Sequence, residues 1–221
     1  MENLTEKYKQ IQRDVLQASF DAGACHIGSA LSCVDILVPL FYGELKDDDI
    51  FLFSKASGAA TYYSILADKG LFPREKIAYY LKNYPLPSVE VPGVVHSCGS
   101  LGHGLPVAVG LALANRDQRV FVLMSDGEVG EGTTWESALF ARQHDLDNLN
   151  VIIDANELQA CGAVEEILDL GTAYDFLRRT LPNLTIEHTV KGKGVDFMEG
   201  QYEWHYRNLT ESQLKQALEQ I

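Results

Sequence analysis

The chain has 221 residues, of which 46% are hydrophobic and 22% are charged, and its formal net charge is −13. This length and composition predict one globular domain over residues 1–221, large enough to bury a single core. The excess of acidic residues argues against a nucleic acid or an anionic membrane as the partner, because both carry negative charge.

The amino-terminal residues carry no recognisable targeting signal. They lack the apolar core of a signal peptide, and no apolar run in the sequence reaches the roughly 18 residues of a membrane helix. The four cysteines have neither zinc-ribbon spacing nor the density of a disulfide framework, so reduced thiols are expected. We therefore expect a cytoplasmic protein.

The first half of the chain is predicted to be mainly helical. The first helix, over residues 4–22, has apolar side chains near helical spacing, namely Tyr8, Ile11, Val15, Leu16 and Phe20. Pro73 suits the start of a helix because its fixed φ is helical and its missing N–H is not needed there. Further helices are predicted over residues 35–42, 60–69, 74–82 and 104–114, and small residues in the last would let it pack closely on a sheet.

Short apolar runs in the second half predict parallel strands. Residues 120–124 are all apolar, which is typical of a strand that is buried on both faces. Further strands are predicted over 151–154 and 184–190, and helices are predicted after Glu131 and over 174–180 and 210–221. This alternation predicts an α/β fold, a doubly wound parallel sheet with helices on both faces.

Polar residues follow two of these strands. Asp126 and Gly127 come directly after the first strand, and Asn156 follows the second. If the strands are parallel neighbours, Asp126 and Asn156 emerge at the same sheet edge, where open α/β sheets bind ligands. A carboxylate and an amide oxygen suit Mg²⁺, and the following helix N-terminus attracts anions. The pattern indicates a metal–diphosphate site, although an isolated Asp-Gly is usually an ordinary turn.

The wider pattern resembles the thiamine-diphosphate signature Gly-Asp-Gly followed by Asn, with Ser125 in place of the first glycine. Other segments resemble the amino-terminal part of transketolase, and the resemblance spans nearly the whole chain. These segments are Gly23-Ala-Cys-His-Ile-Gly28, Cys98-Gly-Ser-Leu-Gly-His-Gly104, Trp135-Glu-Ser-Ala138, Leu146-Asp-Asn-Leu149, Lys191-Gly-Lys-Gly-Val195 and Glu203-Trp-His205. The resemblance implies a thiamine-diphosphate-binding fold and the transfer of a two-carbon ketol unit from a ketose to an aldehyde.

The resemblance also implies which residues hold the cofactor. Mg²⁺ would be bound by the side chains of Asp126 and Asn156 and by the carbonyl of Leu158. The Gly127 N–H would meet the diphosphate. The remaining residues that we assign to thiamine diphosphate binding are Gly99, Leu101, Glu128 and Ser57.

Three histidines are candidates for catalysis, because histidine can transfer protons near neutral pH. His26 matches the histidine of the family's Gly-His-Pro-Gly segment, which handles substrate hydroxyls. His205 matches a histidine near the diphosphate and the substrate. His103 stands where relatives have glutamine or histidine and is expected in the pocket without a specified role.

Several positions depart from the family pattern. Ser57 replaces the histidine of the segment Ser-Lys-Gly-His, so the metal and the backbone would hold the diphosphate with less help. Tyr206 replaces a glycine after His205. These changes imply either an unusual donor or acceptor or weakened activity. Lys191 and Lys193 fit either a mobile loop over the site or a solvated turn.

The resemblance implies a partner chain as well. Single-chain members of the family continue into a pyrimidine-binding domain that supplies the glutamate activating the cofactor. We therefore expect one component of a split transketolase, inactive without a separately encoded carboxy-terminal subunit, with which it would form a heterotetramer. Alternatives are transfer to a specialised, for example carrier-bound, acceptor, a role in another thiamine enzyme, and a non-catalytic relative. The retained Asp126 and Asn156 argue against the last.

Overall fold

The computed structural model describes residues 4–221, so the first three residues of the predicted domain lie outside the described part. Its centre is a parallel sheet in the order β1-β2-β3-β4. The strands are β1 (Ile50–Phe53), β2 (Val120–Ser125), β3 (Leu149–Ala155) and β4 (Leu184–His188). Every neighbouring pair is parallel, and helices cover both faces. The predicted α/β fold with a parallel sheet is confirmed.

Two helical layers enclose the sheet because the buried side chains of its strands alternate between the faces. Phe121 and Leu123 of β2 pack in a core with α1 (Leu4–Ala22), α2 (Ile27–Pro39), α3 (Ala59–Asp68), α4 (Ile77–Asn83) and α9 (Glu211–Gln220). Val122 and Met124 point into the opposite core, with α5 (Gly104–Ala114), α6 (Gly132–Gln143), α7 (Val164–Ile167) and α8 (Gly171–Thr180).

Two elements differ from the sequence predictions. The strand β1 was not predicted, since four residues are too few for a periodic signal. The helix predicted over 35–42 is also displaced. Instead, α2 begins at Ile27, and a π-helical turn, Leu40–Glu44, follows it.

One apolar helical stretch is longer than the sequence pattern indicated. Ile27–Glu44 is continuous over 18 residues and is apolar enough to cross a membrane by length and composition. In this fold, 67% of that stretch is buried inside the protein. It packs against α1 and α3, as expected of a core helix.

Gly104, the first residue of α5, lies against the residue that follows β1. A Cβ built on Gly104 would overlap both Cβ and Oγ of Ser54. We expect Gly104→Ala to destabilise the fold by about 1–3 kcal/mol, because the added methyl group forces a backbone shift. Urea unfolding of the chain measures this change.

Gly110 in the same helix provides the matched control. A Cβ there would meet nothing within 4 Å among residues 4–221. Gly110→Ala should therefore stabilise the fold by roughly 0.5–1 kcal/mol through better helix propensity. Equal effects of the two substitutions would contradict the close approach of α5 to Ser54.

Candidate active site

A pocket of about 330 Å³ opens at the carboxyl ends of the strands. Ser125 at the end of β2 pairs with Asp154 near the end of β3, so the residues that follow them emerge side by side. The structure brings most of the sequence-predicted site residues to this pocket. Its walls include His26, Ser57, Gly99, Leu101, Asp126, Gly127, Asn156, Leu158 and His205.

Asp126 is the buried carboxylate of the pocket, with 3% of its surface exposed. Its Oδ1 accepts a hydrogen bond from the Gly127 N–H and its Oδ2 accepts one from the Glu157 N–H, both at 2.8 Å. Burial raises the pKa of Asp126, while Lys55 opposes this shift. The carboxylate would therefore gain from a nearby cation.

Asn156 and Leu158 present two further oxygens. The Asn156 Oδ1 accepts from the Leu158 N–H at 3.2 Å, and its amide nitrogen points away toward Asp154 and Ser32. The Leu158 carbonyl accepts from the Lys191 ammonium at 3.1 Å, which leaves its second lone pair. Carboxylate, amide and carbonyl oxygens form a donor set that suits Mg²⁺.

These protein oxygens would not suffice for a metal on their own. Among residues 4–221, no group of three or more His, Cys, Asp or Glu side chains could hold a metal ion. Mg²⁺ sites with few protein ligands are usually completed by water and phosphate oxygens. The arrangement therefore fits a metal bound together with a phosphorylated cofactor.

Two buried lysines supply positive charge that the sequence did not reveal. Lys55 is 2% exposed and forms an ion pair with Asp154. Lys191 is 1% exposed and donates to the carbonyls of Leu158 and Gln159. Both line the pocket, so cationic groups remain beside Ser57 although the family histidine is absent there. Burial and the Lys55 charge lower the pKa of Lys191 to about 8.

Only a weak signal for these lysines exists in the sequence, because both lie in segments that resemble the family. Of the two predictions for Lys191, a mobile loop or a solvated turn, its burial argues against the solvated turn. Lys193 lies apart and pairs with Asp35 of α2. What the sequence lacks is the proximity of the distant Asp154, which makes a buried Lys55 possible.

His26 and His205 meet at one side of the pocket. Their rings are 4.6 Å apart and arranged edge to face, and the Nδ1 of His205 lies 3.5 Å from the Ser29 Oγ. His26 has a left-handed backbone, with φ of 69°, just before α2. Burial and then the Lys191 charge lower the pKa of both histidines, that of His205 to about 3. Both rings are therefore neutral at pH 7 and can accept protons or hydrogen bonds.

Two predicted site residues lie outside the pocket. The Glu128 carboxylate is fully buried and accepts from the N–H groups of Ser125 and Gly102 and from the Ser54 hydroxyl. Glu128 therefore holds the surrounding loops together, and its geometry does not favour direct cofactor contact. His103 is exposed on the preceding loop, where its Nδ1 lies 2.9 Å from the Leu101 carbonyl oxygen.

Comparison with known proteins gives relatives along the full chain. Residues 7–179 match the family described as "Transketolase, thiamine diphosphate binding domain". One of the two subunits of an apulose-4-phosphate transketolase, from Actinobacillus succinogenes, is 36% identical, and the match covers 100% of this chain and 96% of that protein. A 6-deoxy-6-sulfo-D-fructose transketolase subunit of a Clostridium species is 28% identical, with 99% and 96% covered.

Solved structures have the same fold. Transketolase from Leishmania mexicana superposes with a TM-score of 0.85 at 20% identity, over 98% of this chain and 41% of that chain. Transketolase from Campylobacter jejuni gives 0.82 at 24% identity, over 98% and 42%. The chain thus spans about two fifths of these transketolases, but nearly all of the Actinobacillus protein.

Proposed function

The chain belongs to the transketolase family, and on that premise we propose that it is the cofactor-binding subunit of a two-subunit transketolase. The assembled enzyme transfers a two-carbon ketol unit from a ketose donor to an aldehyde acceptor. The observation that carries this proposal is the pocket itself. It joins the oxygens of Asp126 and Asn156 to the neutral rings of His26 and His205.

The residues present fit thiamine diphosphate and Mg²⁺. Asp126, Asn156 and the Leu158 carbonyl would hold the metal, and the Gly127 N–H and the ammonium groups of Lys55 and Lys191 would face the diphosphate. Bound thiamine diphosphate supplies the electron sink for breaking a carbon–carbon bond beside a carbonyl. The buried Asp126, which lacks a full countercharge, supports a cation at this position.

The chain's own side chains bind, orient and move protons around that chemistry. Leu101 and Leu86 form apolar walls that exclude water from the pocket. His26 and His205 can accept a proton from a substrate hydroxyl, because both are neutral at pH 7. Tyr206, which is 67% exposed at the pocket, lies edge to face with His205 and narrows the entrance.

The partner would be a separately encoded subunit with the pyrimidine-binding domain. Support comes from the similar proteins, which are named as single subunits of transketolases, and from the two fifths of a solved transketolase that this chain spans. We propose a heterotetramer of two copies of each chain in the cytoplasm. The pocket would face the partner, which would complete the cofactor site.

The test uses this chain expressed with the partner encoded next to it. We expect ketol transfer that requires both subunits, thiamine diphosphate and Mg²⁺. The donor panel includes ordinary ketose phosphates together with apulose-4-phosphate and 6-deoxy-6-sulfo-D-fructose, which are named for the similar proteins. Activity of the purified single chain would contradict the split assembly. Pyruvate decarboxylation without ketol transfer would contradict the reaction.

A further inference from the structure

Asp154 is a fully buried carboxylate beside the pocket. Its Oδ2 accepts from the Ser32 hydroxyl at 2.8 Å and from the Lys55 ammonium, and its Oδ1 accepts from the Thr189 hydroxyl. The Asn156 amide nitrogen lies 3.4 Å from the same Oδ1. We propose that Asp154 is a positioning residue, which aims the Asn156 oxygen at the metal and the Lys55 ammonium at the diphosphate. This inference rests on the proposed function.

The Asn156 amide takes its orientation from its hydrogen-bond partners, because a side-chain amide can otherwise be flipped by half a turn. Asp154 accepts hydrogen bonds but donates none, and with the Ser32 hydroxyl at 3.5 Å it favours the orientation with the NH₂ group inward. The Asn156 Oδ1 is thereby directed outward, where it also accepts from the Leu158 N–H.

The Lys55 ammonium is held by the same carboxylate. Two of its three N–H groups are directed to Asp154 and to the Ser32 hydroxyl, the latter at 2.9 Å. Lys55 also lines the pocket, so its third N–H is available to an anion there. A buried ion pair seldom adds net stability, because removing both charges from water costs much of what their attraction provides. Positioning of a cation gives this pair a use that stability alone does not.

Asp154 also makes this edge of the sheet rigid. It lies near the end of β3, Lys55 follows β1, Thr189 follows β4, and Ser32 belongs to α2. One carboxylate therefore connects four elements at the edge of the sheet where the pocket opens. Partners behind a metal ligand commonly fix its orientation, and their loss weakens metal binding by roughly 10- to 100-fold.

The test is Asp154→Asn in the assembled enzyme, because the new amide cannot accept from all the groups that the carboxylate holds. Calorimetric titration gives the Mg²⁺ concentration that half-saturates thiamine diphosphate binding. We expect that concentration to rise by about tenfold or more. Thermal unfolding of the cofactor-free protein is measured in parallel, because a purely structural role would change only the melting temperature.

Thr189→Val is the matched control. It removes another hydrogen bond from the same carboxylate but leaves Asp154, Lys55 and Asn156 in place. Its half-saturating Mg²⁺ concentration should stay close to that of the wild type, although its melting temperature falls. An equal rise in Thr189→Val and Asp154→Asn would overturn the positioning role.

A second variant covers the case in which Asp154→Asn fails to fold with Lys55 left unpaired. The double variant Lys55→Met/Asp154→Asn contains neither charge and is compared with Lys55→Met alone. A further rise in half-saturating Mg²⁺ supports the orientation of Asn156 by Asp154, and no further rise overturns it. If the wild-type complex itself fails to bind thiamine diphosphate with Mg²⁺, the proposed function fails and this inference with it.

Discussion

Asp126→Ala is expected to abolish Mg²⁺-dependent binding of thiamine diphosphate by the assembled enzyme. Asp126 supplies the single carboxylate among the proposed metal ligands, and the Asn156 and Leu158 oxygens are neutral. We expect the loss of affinity to exceed the roughly 10- to 100-fold typical of removing an outer partner of a metal ligand. Ketol transfer should fall to background. Calorimetric titration with thiamine diphosphate, with and without Mg²⁺, measures the binding.

Two further variants sharpen this result. Asp126→Asn keeps an oxygen for the Gly127 or Glu157 N–H but removes the negative charge, so it should also lose most Mg²⁺ dependence. Asp47→Ala removes an exposed carboxylate far along the chain and should bind like the wild type. Retained Mg²⁺-dependent binding in Asp126→Ala would show that the metal lies elsewhere.

Folding stability is expected to decline as the pH falls below about 6.5, the ordinary pKa of histidine. Burial lowers the pKa of His26 and lowers that of His205 to about 3. Above pH 6.5 these histidines are neutral in both the folded and the unfolded chain, so they do not affect stability. Below it the unfolded chain binds protons that the folded chain does not, and unfolding becomes more favourable.

For His205, full linkage between about pH 6.5 and pH 5 amounts to roughly 2 kcal/mol. Partial exposure of the ring reduces this, and we expect about 1 kcal/mol. Urea unfolding near pH 7.5 and near pH 5 checks the value, since carboxylates with lowered pKa, such as Asp68, act at lower pH.

His205→Gln should lose less stability on acidification than the wild type. His188→Gln provides the control, because His188 is exposed on β4 and should leave the pH dependence unchanged. Parallel pH dependences of His205→Gln and the wild type would mean that His205 is accessible to protons in the folded chain.

The central fold could be predicted from the sequence because its signals there are strong. The apolar residues 120–124 form most of β2, and the small-residue helix predicted over 104–114 agrees with α5. The same strands carried the predicted meeting of Asp126 and Asn156. Parallel strands that are adjacent in the sheet bring their carboxyl ends together, whatever the details of the loops.

Features that depend on distant partners could not be predicted in this way. Lys55 looks like a surface lysine until Asp154, which is far along the chain, is placed beside it. Glu128 belongs to the motif, yet its burial under Ser54 and Gly102 follows from the packing of three loops. The early start of α2 depends on the left-handed backbone of His26, which residue type alone does not reveal.

The two hydrogen bonds from Lys191 to the Leu158 and Gln159 carbonyls have a kinetic consequence. They hold the chain after Asn156 in place through groups of the protein itself. The conformational entropy of that segment is therefore lost when the chain folds and not when a ligand arrives. Such preorganisation lowers the entropic cost of association. Capture of the cofactor should then be limited by the meeting of the two subunits, and not by rearrangement of this segment.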